Sequence, residues 1–181
     1  MKTKFYFFHG YGSGINSSKF IMLKEHFGES FEMKNEVWRL NDNIGKILSR
    51  VYDELEYEEN PILFGDSTGA NFAYQLREQR LNKGKKTILI MSAPLLDFSK
   101  RISKMEFDEN IQQYLIKITQ PNNAMLIIPT RDEVLDQSMF LAKNNFKNLK
   151  ILTLNDTHRL QKLKEGVGIE EIKKYIAEHS K

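Results

Sequence analysis

The chain has 181 residues, 27 of them basic and 24 acidic, for a formal net charge of +3. That length suits one domain, 1–181, built on a single sizeable core, and so mild a charge is no electrostatic footprint for nucleic acid. The absence of cysteine excludes disulfides, a thiol nucleophile and thiolate metal sites.

No apolar run approaches the ~20 residues of a membrane span. The run at 5–8 is too short for the core of a signal peptide. A cytoplasmic protein with no membrane partner is therefore expected.

In chain order, Phe5, Tyr6, Phe7 and Phe8 form a short apolar strand, followed by His9-Gly-Tyr-Gly-Ser-Gly14. Ser17 or Ser18 can cap a helix over 19–27, with Phe20, Leu23 and Phe27 at helical spacing. A second strand is expected over 36–40. Asp42 or Asn43 caps the next helix, whose Ile44, Ile47, Leu48, Val51, Tyr52 and Leu55 form an apolar stripe. A strand over 61–64 and a helix over 70–80 come next, then a strand over 87–91. Residues 95–122 break the rhythm, with a helix expected around 110–118. A fifth strand over 124–129, a helix over 134–146, a sixth strand over 149–154 and a helix over 169–179 complete the pattern. Strands alternating with helices predict an α/β fold, a six-stranded, mostly parallel sheet covered on both faces. In such sheets the ligand site lies beyond the carboxyl ends of the strands.

The junction between the third strand and its helix reads Gly65-Asp66-Ser67-Thr68-Gly69. A G-x-S-x-G between strand and helix is the context of a nucleophile elbow. Ser67 is placed at the tip of a strained turn, and Gly65 and Gly69 lack the Cβ atoms that would collide where strand and helix approach. The N–H of Thr68 can then donate to a developing oxyanion. The loop after the first strand gives G-x-G-x-G, which fits no dinucleotide or P-loop pattern. It fits a second oxyanion donor, the N–H of Tyr11.

A general base that passes a proton both ways at neutral pH is a histidine. His26 and His179 read as surface residues, and His9 as a residue that shapes its loop. His158 stands in Asn155-Asp-Thr-His-Arg159, just after the sixth strand. The acid is expected after the fifth strand, where Asp132 comes first, Glu133 is the next option, and Asp136 is placed on the following helix. Asp156 reads as a turn residue. The order Ser67, Asp132, His158 is that of the α/β-hydrolase fold. No metal-ligand spacing such as H-x-x-x-H occurs, and the chemistry calls for no cofactor.

These residues resemble α/β-hydrolases, and small bacterial YqiA-like esterases in particular. Phe7-Phe-His-Gly-Tyr-Gly-Ser13 with Ser18-Lys19 is similar to that family's opening, Asp132-Glu-Val-Leu-Asp136 to its acid segment, and His158 to its histidine. The resemblance covers nearly the whole chain except 95–122. It implies a compact α/β-hydrolase core with at most a small lid, and hydrolysis of a small-molecule carboxylic ester through an acyl-enzyme. Thioesterase or acyltransferase chemistry would use the same triad, and a non-catalytic binding protein of this fold is the other alternative. Residues 95–122 read either as a lid, with Met105, Phe107, Tyr114, Leu115 and Ile118 lining an acyl pocket, or as an ordinary packed helix.

Overall fold

A strand buried on both faces sends successive side chains to opposite helical layers. The apolar runs of this chain do so throughout. Phe5, Phe7, Ile62, Phe64, Ile88, Ile90, Met125 and Ile127 pack on one side, and Tyr6, Phe8, Leu63, Leu89, Met91, Leu126 and Ile128 on the other.

The computed structural model describes residues 2–142 and 146–180. Its strands are β1 (Lys4–Phe8), β2 (Glu32–Glu36), β3 (Ile62–Asp66), β4 (Ile88–Ser92), β5 (Ala124–Pro129) and β6 (Leu149–Leu154). They form one sheet in the order β2-β1-β3-β4-β5-β6, with every pairing parallel. Helices α1 (Ser18–Phe27) and α6 (Val167–His179) cover the first side. Helices α2 (Ile44–Glu54) and α3 (Thr68–Leu81) cover the second. Between β1 and β3 the strand order reverses, which opens a crevice at their carboxyl ends.

The caps follow residue chemistry. Ser17 accepts from the N–H of Phe20 at the start of α1, and Asn43 from the N–H of Lys46 at the start of α2. At its far end α3 is held by Arg80, which is fully buried. Arg80 donates to the carbonyls of Leu55, Glu58 and Lys86 and to the Thr87 hydroxyl. Its burial pushes the guanidinium below its ordinary value.

Three expected elements differ. The second strand is Glu32–Glu36, not 36–40. It lies at the sheet edge and pairs with β1 alone, so its polar residues need no apolar face. Trp38, inside the expected span, instead folds over the loop after β1 and is buried there. The helix expected over 134–146 contracts to α5 (Ser138–Leu141), and residues 143–145 of that expectation lie outside the described residues. Residues 134–136 pair with 100–103 instead: Val134 O accepts from the N–H groups of Ile102 and Ser103, and Asp136 N–H donates to Lys100 O. Leu135 also pairs with Arg101 in an antiparallel bridge. The helix expected around 110–118 is the single turn α4 (Glu109–Gln112), after which the chain returns to bond Ile118 N–H to Leu96 O.

The closest approach in the sheet is at the start of α3. A Cβ added at Gly69 would sit 2.2 Å from Phe8 O and 2.5 Å from His9 O, and one at Gly65 would sit 2.3 Å from Ala70 Cα. All these partners are backbone, which cannot step aside as a side chain can. Gly69→Ala is expected to cost about 3 kcal/mol, lowering the thermal midpoint by roughly 6–12 °C. Gly14→Ala, whose added Cβ meets nothing within 4 Å, serves as control and should melt within about 2 °C of wild type. Circular dichroism melts check both, and a Gly69→Ala variant as stable as wild type would remove the close approach from the account.

Candidate active site

Ser67 joins β3 to α3 with φ 50° and ψ −113°, a backbone conformation that L residues rarely adopt. Its neighbours hold it there. Ser67 N–H donates to Ser92 O at 2.9 Å, and Ser67 O accepts from Ala70 N–H at 3.1 Å and Leu95 N–H at 3.0 Å. The turn thus aims Oγ away from the sheet, toward the loops that follow β1, β5 and β6.

His158 reaches it from the loop after β6. Its Nε2 lies 3.0 Å from Ser67 Oγ, and its Nδ1 lies 3.0 Å from each carboxylate oxygen of Asp132. A carboxylate only accepts, so Nδ1 carries the proton and donates to Asp132. Nε2 is then the acceptor for the Ser67 hydroxyl. The Asp132 side chain is 2% exposed. Burial alone would raise its carboxyl, but the hydrogen bond and charge of His158 and the N–H groups of Leu135 and Val134 outweigh it and hold the carboxyl below its ordinary value.

Of the other carboxylates, Glu133 accepts from the backbone N–H of His158 at 2.9 Å, so it fixes the residue's chain and not its ring. Asp156 turns its own loop, accepting from Thr157 and Lys162 N–H groups. Asp136, expected on a helix, lies in the loop ahead of α5 and accepts from Ser138 N–H. His26 and His179 are exposed on α1 and α6, away from this cluster.

Thr68 opens α3, where an N–H has no intrahelical acceptor. Tyr11 lines the same pocket as Ser67, Thr68 and His158. Among the described residues neither the Tyr11 nor the Thr68 N–H donates to another backbone group. The loop carrying Tyr11 is pressed against the elbow: a Cβ at Gly10 would lie 3.2 Å from Ser67 Cβ.

His9 and Trp38 set that loop, and Trp38 drew no attention in the sequence because it follows an edge strand. The two rings stack at 4.8 Å. Trp38 N–H donates to His9 Nε2 at 3.1 Å, Trp38 Nε1–H donates to His9 O at 3.1 Å, and His9 Nδ1–H therefore donates to Gly10 O at 2.8 Å. Both ring nitrogens are engaged, which leaves none to take a proton from Ser67. Burial pushes the His9 imidazole below its ordinary 6.5, against the smaller raising effects of its backbone partners and Asp66.

Asp66, beside Ser67, makes no hydrogen bond to His158. It pairs with the buried amine of Lys19 and accepts from Ser92 Oγ at 2.7 Å. Lys19 thereby ties α1 to the strand ends beneath the elbow.

The pocket over Ser67 is a cavity of about 100 Å³. Met105 and Phe107 from 95–122 line it. Phe107 stacks on Tyr11 at 4.3 Å, and Asp108 N–H donates to Tyr11 Oη. The other expected lining residues lie elsewhere. Tyr114 and Leu115 pack against the α2–α3 core, and Ile118 lines a neighbouring cavity of about 330 Å³. That second cavity shares Leu95 and Leu135 with the first. No cluster of metal-ligating side chains occurs among the described residues, and no helix among them is long and apolar enough to cross a membrane.

Neither protein-family models nor the sequences of curated proteins match the chain. Solved structures do. A Xanthomonas campestris protein described as a hydrolase of the alpha/beta superfamily aligns at 15% identity and TM-score 0.68, covering 96% of this chain and 99% of that one. The thioesterase RedJ of Streptomyces coelicolor aligns at 15% identity and TM-score 0.63, covering 98% and 90%. One of the metagenome-derived lipolytic enzymes LipS and LipT aligns at 12% identity and TM-score 0.69, covering 98% and 94%. The chain has the α/β-hydrolase fold.

The depressed His9 value has a signed consequence. A group that the fold keeps less protonated contributes stability that is present above its unfolded value and lost as pH falls through its folded one. Stability is expected to decline as pH drops below about 6.5, and His9→Gln should decline less over pH 7 to 5 than wild type. Thermal midpoints across that range check it; parallel declines in the two proteins would exclude His9 as the source.

Proposed function

We propose that the protein is a serine hydrolase that cleaves a small carboxylic ester through an acyl-enzyme, with Ser67 as nucleophile, His158 as general base and acid, and Asp132 as the residue that orients His158. The observation that carries this reading is the continuous hydrogen-bond chain from Ser67 Oγ through both nitrogens of His158 to a buried carboxylate.

In the first step His158 Nε2 takes the Ser67 proton while Oγ attacks the ester carbonyl. The tetrahedral oxyanion forms beside the N–H groups of Tyr11 and Thr68, two donors already oriented by the His9 loop and by the start of α3. His158 then gives its proton to the departing alkoxide, which leaves as the alcohol. Water, deprotonated by His158, attacks the acyl-enzyme, and the acid is released with Ser67 reprotonated. The Asp132 carboxylate stabilises the imidazolium that appears twice in this cycle. Its depressed carboxyl value keeps it charged for that task.

Thioester cleavage is the second reading, favoured by the shared fold of the thioesterase RedJ. The same residues would serve, with a thiolate as leaving group. A panel of p-nitrophenyl esters beside acyl-coenzyme A thioesters separates the two by kcat/KM.

Intact-mass labelling with a fluorophosphonate tests the reading as a whole. Wild type should gain one adduct per chain, and Ser67→Ala and His158→Ala none at the same exposure. Asp132→Asn should keep the fold and lose about 10⁴-fold in kcat, since an amide leaves the imidazole in the wrong tautomer. Folded wild-type protein that stays unlabelled would leave a binding protein of this fold as the better account.

A further inference from the structure

Arg101 stands in the wall of the pocket that holds Ser67 and His158. The lining around it is apolar or aromatic: Tyr11, Leu95, Met105, Phe107, Val134 and Leu135. Half-buried there, it has no carboxylate partner among the described residues. Among the described residues the arginine ion pairs are those of Arg50 and Arg77, and Arg101 has no carboxylate within 4.0 Å.

The side chain is nonetheless fixed. Its guanidinium lies over the rings of Phe107 at 4.8 Å and Phe98 at 5.2 Å. One Nη2 hydrogen goes to Met105 O at 2.7 Å. Its backbone is pinned by the bridge to Leu135, next to the segment that bonds Asp132. A guanidinium has five N–H donors, so most remain free for a ligand. Held over the two rings, it keeps the planar fork that matches a carboxylate in two parallel hydrogen bonds.

We propose that Arg101 is a specificity-determining residue that receives a carboxylate carried by the substrate itself. The preferred substrates are then short esters bearing a free carboxylate a few atoms from the scissile carbonyl. The small cavity, about 100 Å³ where ligand pockets commonly reach about 300–1,000 Å³, favours such a compact anion over a long acyl chain. This inference rests on the reading of Ser67 as the nucleophile, because that reading says which end of the pocket takes the carbonyl.

The test is binding, measured on Ser67→Ala so that no turnover intervenes. Calorimetric titrations compare monomethyl succinate with dimethyl succinate, and acetoxyacetate with its methyl ester. The first pair carries the charge on the acyl side, the second on the alcohol side. At least one acid should bind about tenfold or more tightly than its neutral partner, as charge-assisted hydrogen bonds supply. That preference should fall to near unity in Ser67→Ala/Arg101→Gln. A purely bracing role for Arg101 against Phe98 and Phe107 would weaken acid and neutral ester alike and leave their ratio unchanged. An unchanged ratio, equal binding within both pairs, or no binding of any of the four overturns the proposal. The hydrolase reading fails separately, by absence of fluorophosphonate labelling on wild type; an acid preference that persists there would leave the anion subsite standing without the chemistry.

Discussion

The arrangement depends on one close approach, between the first turn of α3 and the ends of β1 and β3. With glycine at 65 and 69, the helix starts almost on top of the β1 carbonyls. The connecting residue must then turn sharply, and Ser67 takes up a positive φ that would be costly anywhere not fixed by its surroundings. The fixing is done at both ends. Three backbone hydrogen bonds hold Ser67 itself, and the buried Arg80 clamps the other end of α3 to carbonyls around β3 and β4. Strain at Ser67 is thus sustained by a helix that cannot retreat.

The second requirement is that loops from distant parts of the chain meet at that turn. A parallel sheet satisfies it by construction, since the loops after β1, β3, β5 and β6 all emerge on one edge. What the sheet does not set is the fine placement. Asp132 does part of this by gathering the N–H groups of Val134 and Leu135 as well as His158. One carboxylate therefore shapes its own loop and holds the imidazole. Glu133 holds the backbone of His158 from the same loop.

Much of this was legible in the sequence because each signal was local. Alternating apolar runs gave the buried strands, and the glycines around Ser67 gave the turn. Asp132 and His158 followed from their positions after β5 and β6. What escaped depends on contacts between remote segments. An edge strand with the sequence Glu-Met-Lys-Asn-Glu carries no apolar period, so β2 was misplaced by its more apolar successor. The helix expected over 134–146 is displaced at its start by pairing of 134–136 with the remote segment 100–103. The stacking of His9 on Trp38 joins residues 29 positions apart and has no sequence signature. Arg101 sits in a segment whose character is decided by what it covers.

That segment, 95–122, is neither a separate lid nor a plain packed helix. Its two ends are built into the core, through Leu96 and Ile118, which bond to each other and are both buried. Its middle crosses the pocket: Phe107 lies on Tyr11, and the Asp108 N–H bonds the Tyr11 hydroxyl. Tyr11 is therefore shared between the cover and the loop pressed against Ser67. The exposed Ile102 and Met105 are the parts of this cover least held by the core. Beside them Arg101 ties the cover back to Leu135 and to Met105 O, so its middle is anchored at Arg101 as well as at Tyr11.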